Sequence, residues 1–180
     1  MTEIEHIDPT GLGLLIVAAV SLPLALGNLI MDGDFSKFDA GSVATWLGAL
    51  IILTGLLAYM ANSSFGMTVL VLVGIAVVFS DGKYGSLGAW GAIVFGIIFL
   101  FFIYWAYALK LPKLMVLLLT TTALIFLLVG VMSIMTTNGS DIGAVRTALG
   151  IVALFNFIFN FWLGVGLCTE GCEKGKIPYF

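Results

Sequence analysis

Long apolar stretches separated by short polar segments dominate this sequence. The six stretches are residues 11–31, 42–60, 65–80, 87–109, 114–135 and 147–167, of which the third is the shortest. A transmembrane helix needs about 20 mostly apolar residues. A soluble chain with 61% hydrophobic and 9% charged residues could not cover its surface with polar groups. The sequence therefore predicts an all-α integral membrane protein, a bundle of six transmembrane helices.

The polar segments are too short to separate two domains, so we expect a single membrane domain over residues 1–180. Residues 1–10 would form an N-terminal tail and residues 168–180 a C-terminal tail. The side of the membrane that holds both tails carries four of the seven basic residues. By the positive-inside rule, this small excess predicts a multi-pass protein of the cell membrane with both termini in the cytoplasm.

The seventeen charged residues all fall in predicted loops or tails. This placement argues against a carboxylate proton relay or an arginine voltage sensor in the spans. With only seven Lys and Arg and a net charge of −3, no basic surface for nucleic acid is expected. Two cysteines four residues apart do not make a metal site, and no catalytic constellation is present. We therefore expect neither an enzyme nor a cofactor.

Neutral polar side chains, in contrast, lie inside the predicted spans. Ser21 and Asn28 are seven residues apart and share one helix face, as do Asn156 and Asn160, four residues apart. Three threonines follow one another at 120–122. An asparagine in hydrocarbon must find hydrogen-bond partners, so bonds between helices are the simplest interpretation. A polar path for a small solute is the alternative.

Aromatic residues cluster in two of the spans, at 99–107 and at 155–162. Rings near the end of a span commonly contact lipid and anchor the helix at the membrane interface, which is the role expected here. The alternative is that a few of these rings gate a pore by excluding water.

Two motifs resemble segments of the acetate uptake transporter family, which includes the succinate–acetate permeases. Segment 8–14, D-P-T-G-L-G-L, resembles the family's N-P-x-P-L-G-L, and segment 62–68, N-S-S-F-G-M-T, resembles its N-T-F-G-x-T. The motif positions are Asp8, Pro9, Leu12, Gly13, Ser64, Phe65 and Gly66. The basic tail ending in Ile177-Pro178 and the six spans in 180 residues are also similar.

The resemblance implies a urea-channel-like protomer of six helices, arranged with its copies as a homo-hexameric ring in the lipid bilayer. It also implies passage of acetate and other small monocarboxylates, linked to protons. The sequence departs from the family pattern at Asp8, where the family has Asn, and at Gly11, where it has Pro. Val17 and Val73 stand where the family places aromatics, and Thr122 stands where it places a pore-narrowing leucine. Smaller side chains there would widen the path or change its selectivity.

These observations predict a path for a small carboxylate. Its residues are expected to be Val17, Ser21, Asn28, Val73, Thr122 and Asn156. Hydroxyl and amide groups would hold a partly dehydrated carboxylate, and valines would contact its methyl group. Protons could be carried by movement of the neutral acid. Two alternatives stay open: a channel for a neutral solute such as urea or ammonia, and a membrane protein that transports nothing, such as a sensor or scaffold.

Overall fold

A computed structural model describes residues 9–30, 40–79 and 87–169, and within these ranges the chain forms six α-helices. They are α1 (Thr10–Leu29), α2 (Ala40–Met60), α3 (Ser64–Val78), α4 (Gly88–Ala108), α5 (Lys113–Thr137) and α6 (Gly143–Thr169). Each helix coincides with one predicted span, so the all-α, six-helix architecture is confirmed. Asp8 and the C-terminal tail beyond Thr169 lie outside the described residues.

The helices differ from the predicted spans mainly in length. Five are long and apolar enough to cross a membrane, whereas α3 has 15 residues and rises only about 22 Å. The start of α6 at Gly143 places Arg146 in its first turn, although the sequence predicted a loop there. A basic side chain is tolerated at such a position because its long stem can carry the charge to the interface. The described charged residues therefore lie at helix ends or in turns.

Short turns connect α2 to α3, α4 to α5 and α5 to α6. Each of these turns contains a residue with positive φ, namely Asn62 at 61°, Lys110 at 55° and Gly139 at 66°. At the first turn, the Ser63 N–H donates to the Ala58 carbonyl at 2.9 Å, and equivalent bonds close the other two. This left-handed cap satisfies the last carbonyls of a helix and reverses the chain. It makes consecutive helices antiparallel.

Three helix pairs make the most extensive contacts: α1 with α6, α2 with α3, and α4 with α5. The backbones approach closely at Gly11 against Gly164, Gly48 against Gly74, and Gly130 against Ala89. A β-carbon added at Gly74 would lie 2.8 Å from the Gly48 carbonyl oxygen. Small residues are what allow membrane helices to pack this tightly, because lipid supplies no hydrophobic force between them.

A central apolar cluster joins all six helices. Its buried members are Leu14, Val17, Ile51, Val69, Leu70, Val73, Phe99, Phe102, Ala106, Met115, Leu118, Leu119, Ala123 and Leu163. Most of the elements contribute two or more residues to it, as expected when each helix turns one face inward. The cluster therefore marks the axis of the bundle.

The aromatic residues of α4 divide between the two sides of the helix. Phe101, Tyr104 and Tyr107 are 65%, 69% and 77% exposed, as lipid-facing side chains should be. The prediction of lipid contact is wrong for Phe99 and Phe102, which are 0% and 7% exposed and belong to the central cluster. The reason is helical periodicity: residues three apart share a face, and this face also carries the buried Ala92, Gly96 and Ala106.

Candidate functional site

A group of hydrogen-bonded polar side chains lies in the middle of the bundle. Asn156 is the central residue of α6 and is 2% exposed. Its Oδ1 accepts a bond from the Ser21 hydroxyl of α1 at 2.8 Å. Its Nδ2 donates to the hydroxyl oxygens of Thr121 and Thr122 of α5, both at 2.9 Å. Together with Asn160 these side chains form what we call the polar node, which ties α1, α5 and α6 together.

Asn160 completes the polar node from the next turn of α6. The side chain is 0% exposed. Its Nδ2 donates to the Asn156 backbone carbonyl at 2.8 Å and to Asn156 Oδ1 at 2.9 Å. Its Oδ1 is buried and has no hydrogen-bond partner among the residues that the structure describes. One acceptor of the polar node is thus left unpaired.

The orientation of both amides follows from a single unambiguous acceptor. A backbone carbonyl can only accept, so the atom of Asn160 that faces the Asn156 carbonyl must be its NH₂ group. The same NH₂ group then faces the Asn156 side-chain amide, which must present its oxygen. The Asn156 NH₂ group is left pointing at the threonines. Rotating either amide by 180° would set like groups against each other.

The hydrogens of the polar node are used within the protein. Thr122 donates its hydroxyl hydrogen to the Leu118 carbonyl at 2.9 Å, and Thr121 does so at the same distance. The Ser21 hydroxyl, also 2.9 Å from the Val17 carbonyl, has one hydrogen for two acceptors. Asn156 has two donors and two acceptor lone pairs, each of which faces a hydrogen-bond partner. Asn156 therefore holds three helices together, as the sequence suggested, whereas the amide of Asn160 bonds within its own helix.

The structure places five of the six predicted path residues in two buried groups, the polar node and the central apolar cluster. Ser21, Thr122 and Asn156 belong to the polar node. Val17 and Val73 lie in the central apolar cluster, and Val17 also borders the node through its carbonyl. Asn28 is buried two turns further along α1. Its Nδ2 donates to the Leu24 carbonyl at 2.8 Å, and its Cβ is close to Gly150 of α6.

The two motif segments meet at one end of the bundle, where α1 and α3 begin. Pro9 precedes α1, and Thr10 Oγ1 is 3.5 Å from Ser63 Oγ at the start of α3. A β-carbon added at Gly66 would lie 2.6 Å from Thr10 Oγ1, so glycine is required for this approach. One turn further, a β-carbon at Gly13 would meet Leu70 of α3 at 2.6 Å. The motif glycines thus allow the two helices to touch.

The remaining described motif positions have different surroundings. The ring of Phe65 meets Trp105 of α4 edge to face, with 5.3 Å between centroids, and links α3 to α4. Leu12 and Ser64 are exposed. Some residues of the two motifs therefore serve to pack the helices together.

Two rings of the predicted aromatic cluster of α4 pack inward, against a ring of α5 that the sequence did not single out. Phe99 stacks on Phe126 of α5 with centroids 5.5 Å apart, and Phe102 meets Phe99 edge to face at the same distance. Thr54, buried in α2 with its hydroxyl on the Ile51 carbonyl, was also missed. The position of Thr54 in the middle of an apolar span could have predicted its burial. The small residues on one face of α4 could have predicted that Phe99 and Phe102 point inward.

The described helices bury polar groups that are all neutral. The buried polar residues in this part of the chain are Thr10, Ser21, Asn28, Thr54, Thr122, Asn156 and Asn160. The described part of the chain contains no cluster of three or more His, Cys, Asp or Glu side chains that could hold a metal ion. A solute at the polar node would therefore meet dipoles and apolar walls rather than fixed charge.

No protein-family model and no curated protein matches this sequence. Among solved structures, the bacterial acetate channel SatP matches with a TM-score of 0.74. The match covers 96% of this chain and 98% of the other, at 18% sequence identity. The chain has the SatP channel fold. Nearly the whole of both chains shares this architecture, so the polar node and the apolar cluster both lie within it. The six-helix fold that the motif resemblance implies for the protomer is confirmed. The protein is a multi-pass membrane protein.

Proposed function

We propose that this protein is a membrane channel or transporter for acetate and other small monocarboxylates. The observation that carries the proposal is the match to SatP, described as an acetate channel, over 96% of this chain. The motifs at the starts of α1 and α3 resemble the acetate uptake transporter family independently of that match. Their close contact in the structure supports treating them as parts of one architecture.

The chemistry of the bundle axis fits both ends of acetate. The polar node offers hydrogen-bonding groups to a carboxyl, and the central apolar cluster, which includes Val17 and Val73, offers an apolar wall to a methyl group. An ionised carboxylate would lose its hydration without meeting a buried cation in the described helices, which is costly. The neutral acid escapes most of this cost. We therefore propose that protons cross as part of the undissociated acid.

The proposed path comprises Val17, Ser21, Asn28, Val73, Thr122 and Asn156. Because the hydrogens of the polar node bond within the protein, passage would require a side chain such as Ser21 to exchange one of its two acceptors for the solute. Two further features, a homo-hexameric ring and cytoplasmic termini, are proposed from the resemblance and from the distribution of basic residues.

Counterflow in liposomes tests the proposal. Liposomes that contain the purified full-length chain are preloaded with unlabelled propionate and diluted into labelled acetate. A carrier shared by both acids makes labelled acetate accumulate transiently above the protein-free level, and a channel makes acetate enter faster than in protein-free vesicles with or without preloading. Propionic acid that leaves through the lipid raises the internal pH and by itself draws acetate in, so protein-free liposomes preloaded in the same way are the matched control.

The alternatives give different results in the same vesicles. A channel for neutral solutes would pass urea or ammonia quickly and leave acetate at the rate of lipid alone. A sensor or scaffold would pass neither. Either result would overturn the proposed function.

A further inference from the structure

The unpaired oxygen of Asn160 points to a role that the path residues do not cover. We propose that Asn160 Oδ1 accepts the O–H hydrogen of an undissociated monocarboxylic acid and so selects the neutral acid over its anion. Asn160 would then be a specificity-determining residue at the polar node. The proposal rests on the proposed function, because it concerns the form in which that substrate binds.

The unpaired acceptor of Asn160 lowers the stability of the bundle. In the described part of the chain, Asn160 Oδ1 is the single buried side-chain nitrogen or oxygen without a hydrogen-bond partner. Buried polar atoms are nearly always paired, and an unpaired carbonyl inside hydrocarbon is more costly than one in water. Leucine would fill a similar volume without that cost. An asparagine at this place is explained if a ligand supplies the missing donor.

The hydrogen-bonding capacity that remains on Asn160 is that of an acceptor. Both NH₂ hydrogens of Asn160 are committed to Asn156, so only acceptor capacity remains. A carboxylate anion also has only acceptors and would be repelled by this oxygen. An undissociated acid has one O–H donor and pairs with it. Since no covalent bond changes, the acid binds and leaves intact, and its proton is released to water on the far side.

The described helices that pack on Asn160 place no competing charge close to it. Helix α6 contacts α1 and α5. Lys113, Arg146 and Cys168 are the titratable residues of these three helices. The nearest of them along α6, Cys168, is eight residues from Asn160, about 12 Å of helix rise. The described surroundings therefore provide no cation that would favour the anion at Asn160.

Infrared difference spectroscopy of the full-length protein in lipid tests the proposal directly. The probe is ¹³C-carboxyl acetate, whose labelled C=O band reports whether the bound molecule is protonated. Spectra are recorded at about pH 6, well above the ordinary pKa of a carboxyl group. We expect the protonated band on the wild type, which means that binding raises the pKa of the acid. The anion band alone would overturn the proposal.

Two substitutions at position 160 distinguish the contribution of the acceptor oxygen from that of the surrounding structure. Asn160→Leu removes the acceptor at similar volume and should weaken binding of the protonated acid about three- to tenfold, the worth of one neutral hydrogen bond. Asn160→Asp keeps a carbonyl oxygen while its buried carboxyl is protonated, and should retain the labelled band. The isotope shift distinguishes the substrate from the new aspartic acid. Thr120→Val, outside the polar node, serves as the control.

The outcomes distinguish this proposal from the proposed function. Unchanged binding of the protonated acid by Asn160→Leu overturns the role of Asn160 alone. If Asn160→Leu does not fold, Asn160→Asp decides: a retained band supports the role, and a lost band in a folded protein overturns it. A wild type that binds no acetate and shows no counterflow overturns the proposed function, and the role of Asn160 with it.

Discussion

Asn160 donates both hydrogens of its side-chain amide to Asn156, one to the backbone carbonyl at 2.8 Å and one to the side-chain oxygen at 2.9 Å. This relationship within one turn of α6 orients the whole polar node. It turns the Asn156 oxygen toward Ser21 of α1 and the Asn156 NH₂ group toward Thr121 and Thr122 of α5. Three helices are thereby joined near the middle of the membrane by neutral groups.

Asn156→Leu should destabilise the protein by about 1–3 kcal/mol, because it removes the side chain that links three helices. The matched control is Asn28→Leu, since the Asn28 amide donates to the carbonyl of Leu24 in its own helix. Unfolding in mixed micelles of increasing denaturing detergent measures both. Equal losses of stability in the two variants would show that the polar node does not hold the helices together.

Thr122→Val should cost roughly 1 kcal/mol more than Thr120→Val. Both hydroxyls donate to a carbonyl four residues earlier, but only Thr122 also accepts from Asn156. The comparison therefore isolates the bond between α5 and α6. The same unfolding measurement applies, and a Thr120→Val variant that is the less stable of the two would contradict this assignment.

Gly74→Ala should separate α2 from α3. The added methyl group would lie 2.8 Å from the Gly48 carbonyl oxygen and 2.6 Å from Ile52, which is closer than packed atoms can stand. We expect a loss of about 1–3 kcal/mol. Gly91→Ala is the control, because its methyl group would meet only the flexible Leu87 side chain at 3.1 Å and alanine favours helix. Thermal unfolding in detergent should place Gly74→Ala below the wild type and Gly91→Ala at or above it.

Phe99→Ala should cost about 3 kcal/mol, because it opens a cavity between two other rings of the central cluster. Phe101→Ala, two residues along the same helix and lipid-facing, should cost less than about 1 kcal/mol. If the cluster borders the path, Phe99→Ala should also raise the flux of butyrate relative to acetate. Flux ratios in liposomes check this, and the same ratio in both variants would place the path elsewhere.

The pH dependence of flux should follow the substrate rather than the protein. The described spans bury no acid, base or histidine, so no protein group within them titrates across the working range. At a fixed concentration of undissociated acid, the initial rate should be independent of external pH between about 5 and 7. If the anion is carried, the rate should rise about tenfold per pH unit, because each unit above the pKa of the acid raises the anion concentration tenfold. Initial rates of labelled acetate uptake distinguish these cases.

Hydropathy alone predicted the number and order of the helices, because length and apolar composition decide what can cross a bilayer. The start of α6 was predicted four residues too late, because an arginine near a helix end lowers the local hydropathy as a loop residue does. Ser21 and Asn156 could be recognised as buried polar residues, but they are 135 residues apart. Their pairing depends on how α1 packs on α6, which periodicity within one helix does not reveal.

The unpaired oxygen of Asn160 was beyond sequence reasoning for the same reason. The spacing of four placed Asn156 and Asn160 on one face, but the choice between donor and acceptor depends on atoms of three helices. The inward position of Phe99 could have been predicted from the sequence, because glycine and alanine recur on the same face of α4.

The central claim is tested most directly by uptake of labelled acetate into liposomes that contain the purified full-length chain, with an inward proton gradient and protein-free liposomes as the baseline. The account predicts saturable uptake above that baseline, faster in acid, inhibited by formate and propionate and unaffected by urea. Acetate uptake no faster than through lipid alone, with or without rapid passage of urea, would contradict it.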